Sequence, residues 1–180
     1  MVSWASAGIA VEGGDGLPRY LGLDLSLSPG FAVIEFKNGK LRLLHASALA
    51  TSTKHTDAER FSAIEAKTVL IAHEFGPFDE IIREDYTQGR NKRAKQAIYG
   101  AWAAVDVGLG RFGYAVTRHI TPTAVKALVG GKGDASKDEV AAGVRRLLGI
   151  PLDYRFEADD ASDAAAVVLA WLIREGRLQA

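Results

Sequence analysis

Four carboxylates in this 180-residue chain stand where chemistry can be done: Asp24, Glu84, Asp160 and Asp163. Asp160 and Asp163 lie three apart in Asp160-Ala161-Ser162-Asp163-Ala164, a stretch with helical periodicity, so they share one helix face. At about 100° per residue that face also carries Ala164, Val167 and Trp171, which places both acids on the side that packs against the protein. Burying two carboxylates is costly unless a positive group sits between them. A hard divalent cation such as Mg²⁺, which prefers carboxylate oxygen, meets that need. Capping meets it as well, with Asp160 as N-cap and Asp163 at N3, and this stretch alone does not choose between the two. Asp24 and Glu84 each end an apolar strand just before the chain leaves the sheet, so if those strands are neighbours both acids emerge at one edge. Four acids around two cations suit phosphodiester hydrolysis, one ion generating the attacking hydroxide and the other stabilising the leaving oxygen.

The elements that must position these acids follow from the patterning. Arg19 to Asp24 reads as a buried strand with Leu21 and Leu23 opposite Gly22 and Asp24, and Gly22 leaves room for a close neighbour. Ser28-Pro29-Gly30 turns the chain, Phe31 to Phe36 returns, Asn38-Gly39 forms a hairpin, and Leu41 to Ser47 gives a third antiparallel strand. A helix is predicted from Asp57 to Phe75 with Ala58, Phe61, Ile64, Ala66, Val69, Leu70 and His73 on its apolar face, stopped by Gly76-Pro77. Phe78 to Glu84 is the next strand. A helix from Asn91 to Leu109 follows, with a small face of Ala97, Ala101, Ala104 and Gly108 that fits either a helix of the same chain or a second copy. Gly113 to Ile120 reads as a strand, Thr121-Pro122 opens a helix to Val129, and Ser136 with Glu139 forms a capping box for a helix to Leu148. The last helix runs from Asp159 or Asp160 to about Glu175. Strands in a meander followed by alternating helix and strand predict a mixed α/β sheet flanked by helices.

The chain has no cysteine, which excludes disulfides and thiolate metal sites, and no apolar run long enough to span a membrane. Residues 1–18 read as a loose, glycine-rich extension and residues 19–180 as one domain. The formal charge is zero, with 22 basic and 22 acidic residues, but between Arg83 and Arg146 there are 12 Lys/Arg against 6 Asp/Glu, a net of +6. A basic middle in a neutral chain suggests a polyanion-binding face. His45, His55, His73 and His119 show no zinc spacing and read as surface or packing residues. The loop Gly130 to Lys137 does not match a nucleotide P-loop, yet its glycines and the following helix N-terminus suit a backbone phosphate.

Several stretches together resemble the RuvC family of Holliday junction resolvases in the ribonuclease H-like superfamily. They are Leu21-Gly22-Leu23-Asp24 with Gly30-Phe31-Ala32-Val33, Ile82-Arg83-Glu84-Asp85-Tyr86, and Gln96-Ala97-Ile98-Tyr99-Gly100. Thr121-Pro122-Thr123-Ala124-Val125-Lys126, Gly131-Lys132-Gly133-Asp134-Ala135-Ser136-Lys137 and Asp160-Ala161-Ser162-Asp163-Ala164 complete the series in the family's order. The resemblance implies a ribonuclease H-like five-stranded mixed sheet, three antiparallel strands then parallel ones. It implies Mg²⁺, with Mn²⁺ as substitute, two ions per site, at Asp24, Glu84, Asp160 and Asp163, with Lys126 and Lys137 beside the scissile phosphate. It implies a homodimer through the helix 91–109, the small face being given its partner there. Paired nicks in four-way or branched DNA would leave a 5′-phosphate and a 3′-hydroxyl, in a bacterial or phage-infected cytoplasm. Tyr86, Arg90, Lys92, Arg93 and Lys132 are expected to contact DNA. A branched-DNA or RNA–DNA hybrid nuclease, a non-catalytic junction-binding protein and an actin-like ATPase fragment are the alternatives.

Overall fold

The computed structural model describes residues 17–25, 28–37, 39–52, 54–85 and 92–180, the side chain of residue 94 excepted. The 1–16 part of the expected extension, Asn38 of the hairpin, and Tyr86, Arg90 and Asn91 lie outside the described residues. Five strands, β1 (Arg19–Asp24), β2 (Gly30–Lys37), β3 (Lys40–Ala48), β4 (Glu80–Glu84) and β5 (Arg118–Ile120), form one sheet in the order β3-β2-β1-β4-β5. β1 pairs antiparallel with β2 and β2 with β3, whereas β4 runs parallel to both β1 and β5. This is the mixed sheet expected from the sequence. The helices are α1 (Asp57–Phe75), α2 (Lys92–Gly110), α3 (Pro122–Gly130), α4 (Lys137–Leu148) and α5 (Asp159–Arg174).

Strand alternation divides the core into two layers. Tyr20, Ala32, Ile34, Ile82 and Ile120 point toward α3, α4 and α5, which supply Val125, Val129, Val140, Val144 and the buried length of α5 from Ala164 to Leu172. Leu21, Leu23, Phe31, Val33 and Ile81 point the other way, onto Ile64 and Ile71 of α1 and Ala101, Ala104, Val105 and Leu109 of α2. Covered on both faces, β1 reads as an almost unbroken buried run. Asp24 shares the parity of Tyr20 and Gly22, and Glu84 that of Ile82, so both acids leave the sheet on the α5 side.

The caps written in the sequence are in place. Thr56 and Glu59 close a capping box on α1, Ser136 and Glu139 on α4, and Thr121 accepts from the Ala124 N–H at the start of α3. Gly149 ends α4 at φ +64°, the left-handed conformation that a side chain disfavours.

Four expectations need correction. The buried face of α1 is Arg60, Ile64, Thr68, Ile71 and Ala72, while Ala58, Ala66, Leu70 and His73 are exposed. Polar Arg60 and Thr68 can go inside because Arg60 ion-pairs with Asp57 and the Thr68 hydroxyl donates to Ile64 O at 2.8 Å. The small face of α2 is already occupied within the chain. A Cβ on Gly108 would stand 2.9 Å from Thr68 Cβ, one on Gly100 would meet the Phe61 ring at 2.1 Å, and Ala97, Ala101 and Ala104 are buried. The strand expected over Gly113 to Ile120 is only Arg118–Ile120, because Gly113 turns at φ +74° and Tyr114 packs its ring on Phe78 and Phe112 instead. The strand expected from Phe78 begins at Glu80.

Candidate active site

The parallel pairing of β1 with β4 sets Leu23 opposite Arg83, so Asp24 and Glu84 follow each other off the same sheet edge. The start of α5 reaches them because two glycines let it lie against the strands. A Cβ on Gly22 would stand 2.2 Å from the carbonyl oxygen of Ala164, and one on Gly30 would stand 1.8 Å from that of Asp160. The neighbour that Gly22 makes room for is therefore α5 itself.

The N-cap of α5 is Ala158, with no side-chain cap. Asp160 lies inside the helix, so the capping alternative for the Asp160–Asp163 pair does not hold. Asp24, Asp160 and Asp163 each offer a carboxylate oxygen, and the three oxygens lie within 4.8 Å of one another. Glu84 is outside that tight group but lines the same cavity of about 310 Å³, together with Lys126 and Lys137. Pro122, Val125 and Val140 give that cavity an apolar wall.

The electrostatics are those of an acidic cluster short of positive charge. Burial pushes Asp24 up to about 7, and the neighbouring Asp163 and Asp160 push it further in the same direction than Lys137 can offset. Burial likewise pushes Glu84 up to about 8, aided by Asp24 and Asp163 and opposed by Lys126 and Lys137. Asp160 is raised chiefly by burial. Lys137 places its Nζ 3.2 Å from Asp163 Oδ2. Burial alone would lower its pKa, but Asp163, Asp160 and Asp159 outweigh that and raise it. One lysine directly paired within four acids leaves the set fitted to hold a hard divalent cation.

The remaining expected residues spread outward. Lys132 sits on the α3–α4 loop and ion-pairs with Glu139 at 2.8 Å, away from the acids. Lys92 and Arg93 lie exposed in the first turn of α2, where Arg93 ion-pairs with Asp57 at 3.2 Å. Neither lines the acid cavity. The two acids adjacent in sequence to the cluster point elsewhere. Asp85 meets His119 Nδ1 at 3.0 Å, and Asp159 lines a separate cavity beside α4. Sequence reading passed over that second cavity, whose walls include Arg155 and Phe156 on the α4–α5 loop. No local sequence pattern announces it, because its walls come from α4, the α4–α5 loop and the start of α5 brought together by the fold. Arg83, next to Glu84, is also structural: its guanidinium pairs with Asp106 at 3.0 Å and lies 4.0 Å from the centre of the Trp102 ring.

Comparison with known proteins agrees with this geometry. Residues 20–171 match the family model described as crossover junction endodeoxyribonuclease RuvC. A protein of that name from Acidiphilium cryptum is 32% identical over 84% of this chain and 88% of its own length. Another from Thermus thermophilus is 30% identical over 79% of this chain and 84% of its own. Among solved structures, T. thermophilus RuvC in complex with a Holliday junction substrate superimposes with a TM-score of 0.76 at 29% identity, over 89% of this chain and 97% of that one. The four acids fall within the matched span, and on these grounds the chain belongs to the crossover junction endodeoxyribonuclease RuvC family.

Proposed function

We propose that this protein resolves Holliday junctions by metal-dependent nicking of phosphodiester bonds, with Asp24, Glu84, Asp160 and Asp163 as the ligand set. The convergence of three carboxylate oxygens within 4.8 Å carries the reading, since such crowding is unfavourable without a cation. Mg²⁺, with Mn²⁺ as substitute and two ions per site, would supply Lewis-acid stabilisation of the phosphoryl oxygens and ready ionisation of a water. The chain's own groups do the rest. Lys126 and Lys137 stand at the rim of the cavity, where ammonium groups attract and orient the scissile phosphate. The apolar wall of Pro122, Val125 and Val140 keeps bulk water from one side and strengthens the electrostatics inside. Cleavage on the 5′ side of the phosphate leaves a 5′-phosphate and a 3′-hydroxyl.

DNA contacts extend outward from the cavity. Lys132 on the α3–α4 loop and Lys92 and Arg93 at the start of α2 supply phosphate-binding charge, together with Tyr86 and Arg90 between β4 and α2. Paired nicks require two active sites. We assign the second to a second copy docked on α2, through the face left exposed after α1 has taken the small one. That face carries Tyr99 and Val107, which are 55% and 53% exposed. No described helix is long and apolar enough to cross a membrane, and the site of action is the compartment that holds recombining DNA.

A panel of Mg²⁺-dependent cleavage assays on four-way junction, flap, RNA–DNA hybrid and linear duplex tests the assignment. Preferential, symmetric nicking of the four-way junction is the expected result. Preference for the hybrid would favour the wider ribonuclease H-like reading, and binding without cleavage would favour an architectural role.

A further inference from the structure

The second cavity adjoins the first. It has a volume of about 280 Å³, and Lys137 and Asp163, which line the acid site, form part of its walls too. The Lys137–Asp163 ion pair thus borders both cavities, so the second opens directly beside the acid site. The far wall comes from the α4–α5 loop, where Phe156 faces inward and Arg155 stands exposed.

The composition of this cavity says which part of a nucleotide it takes. Asp138 and Asp159 lie in its walls beside Arg145 and Arg155, so the charges nearly balance. With Lys137 and Asp163 the walls hold three cations and three carboxylates, so a phosphate would meet Asp138, Asp159 and Asp163 there, whereas a nucleobase, neutral and edged with donors and acceptors, suits mixed walls. Phe156, half-buried against the core with the Arg145 guanidinium 5.9 Å from its ring centre, lines the cavity with the flat apolar and cationic surface on which a base stacks. The loop is braced for that task. Tyr154 N–H donates to Pro151 O at 3.0 Å, Arg145 Nε donates to Tyr154 O at 2.8 Å, and the Tyr154 and Phe156 rings meet edge to face at 5.1 Å. Asp138 and Arg155 have no hydrogen-bond or ion-pair partner among the described residues, which leaves their polar atoms available to a base edge.

Building on the junction-cleavage reading, we propose that this cavity receives an unstacked nucleobase next to the scissile phosphate. Phe156 stacks on it, and Asp138 and Arg155 read its edge. The bases at a junction crossover are the ones that unstack at least cost, so the cavity ties cleavage to the branch point and to local sequence.

The test is single-turnover cleavage of a four-way junction by the full chain, with one abasic residue placed in turn at each of two nucleotides on either side of the cut. At one position the abasic substitution is expected to slow the wild type by about tenfold, the scale of one lost stacking contact. Phe156→Leu keeps the apolar packing of the loop; it should slow cleavage of intact DNA by a similar factor and show no further loss on the abasic strand. Asp138→Asn, on the surface, should change the ranking of bases tolerated at that position. The proposal is overturned if no abasic position slows the wild type, or if the Phe156→Leu and abasic effects multiply. A wild type that cleaves no junction of any kind overturns the cleavage assignment, and this inference with it.

Discussion

Gly30 and Asp160 touch through their backbones: a single methyl group on Gly30 would lie 1.8 Å from the Asp160 carbonyl oxygen. With Gly22 under Ala164, this contact sets the height of α5 above the sheet, and so the distance from Asp160 and Asp163 to Asp24. The geometry of the acid cluster rests on two missing side chains.

Gly22→Ala is therefore expected to lift α5, because the new Cβ would sit 2.2 Å from a backbone oxygen that cannot rotate away. Thermal unfolding should show a loss of about 1–3 kcal/mol, the usual scale of overpacking. Single-turnover cleavage should fall by roughly a hundredfold, since a displacement near 1 Å at a reacting centre has that effect. A variant that stays folded and cleaves at the wild-type rate would show that α5 height does not govern the site.

Stability in the absence of metal should depend on pH in a defined direction. Asp24 rises from 3.8 to about 7 and Glu84 from 4.5 to about 8 on folding. Between the unfolded and folded values the folded chain holds more protons than the unfolded one, so stability is greatest below the unfolded values and declines as pH rises toward 8. Both groups are raised, so both act in the same direction and the decline is steepest between their unfolded and folded values. Melting in a chelator from pH 5 to pH 8 checks it. Asp24→Asn should flatten the slope, and Mg²⁺ should raise Tm more at pH 8 than at pH 5.

Lys137→Ala should lower the single-turnover cleavage rate by about 10- to 100-fold while junction affinity changes little, because it removes one charge beside Asp163 rather than the whole basic face. An unchanged rate would reduce Lys137 to a surface partner of Asp163.

Val107→Glu tests the assembly. The residue is exposed on α2, at the border of the face packed on α1, so a charge there should leave the fold intact and break a dimer built on that helix. Sedimentation should shift from dimer to monomer, with paired nicking replaced by slow single nicks. A dimer that survives Val107→Glu would place the interface elsewhere.

Much of this was legible in the residues. Strand alternation, the Thr56 and Ser136 capping boxes and the Asp160–Asp163 spacing are local signals, and local physics fixed them. What could not be read was the choice among partners. The small face of α2 fits any helix, and only the tertiary arrangement gives it to α1. The buried face of α1 passes through Arg60 and Thr68, which a hydropathy pattern assigns to solvent; Thr68 is satisfied by Ile64 O one turn away, and Arg60 pairs its guanidinium end with Asp57 while its Nε is left without a partner among the described residues. The apolar stretch before Ile120 looked like strand, yet only Arg118–Ile120 finds a ladder, beside β4. Gly22 announced a close approach without naming α5, because the closeness of Ala164 is a property of two segments more than a hundred residues apart.

The most direct measurement is cleavage and binding of a synthetic four-way junction by Asp24→Asn in Mg²⁺. The substitution removes one carboxylate of the cluster and leaves every basic residue in place. Cleavage should fall by roughly a thousandfold or more while the junction is bound with about wild-type affinity. If Asp24→Asn nicks the junction at the wild-type rate, the acid cluster is not the catalytic centre.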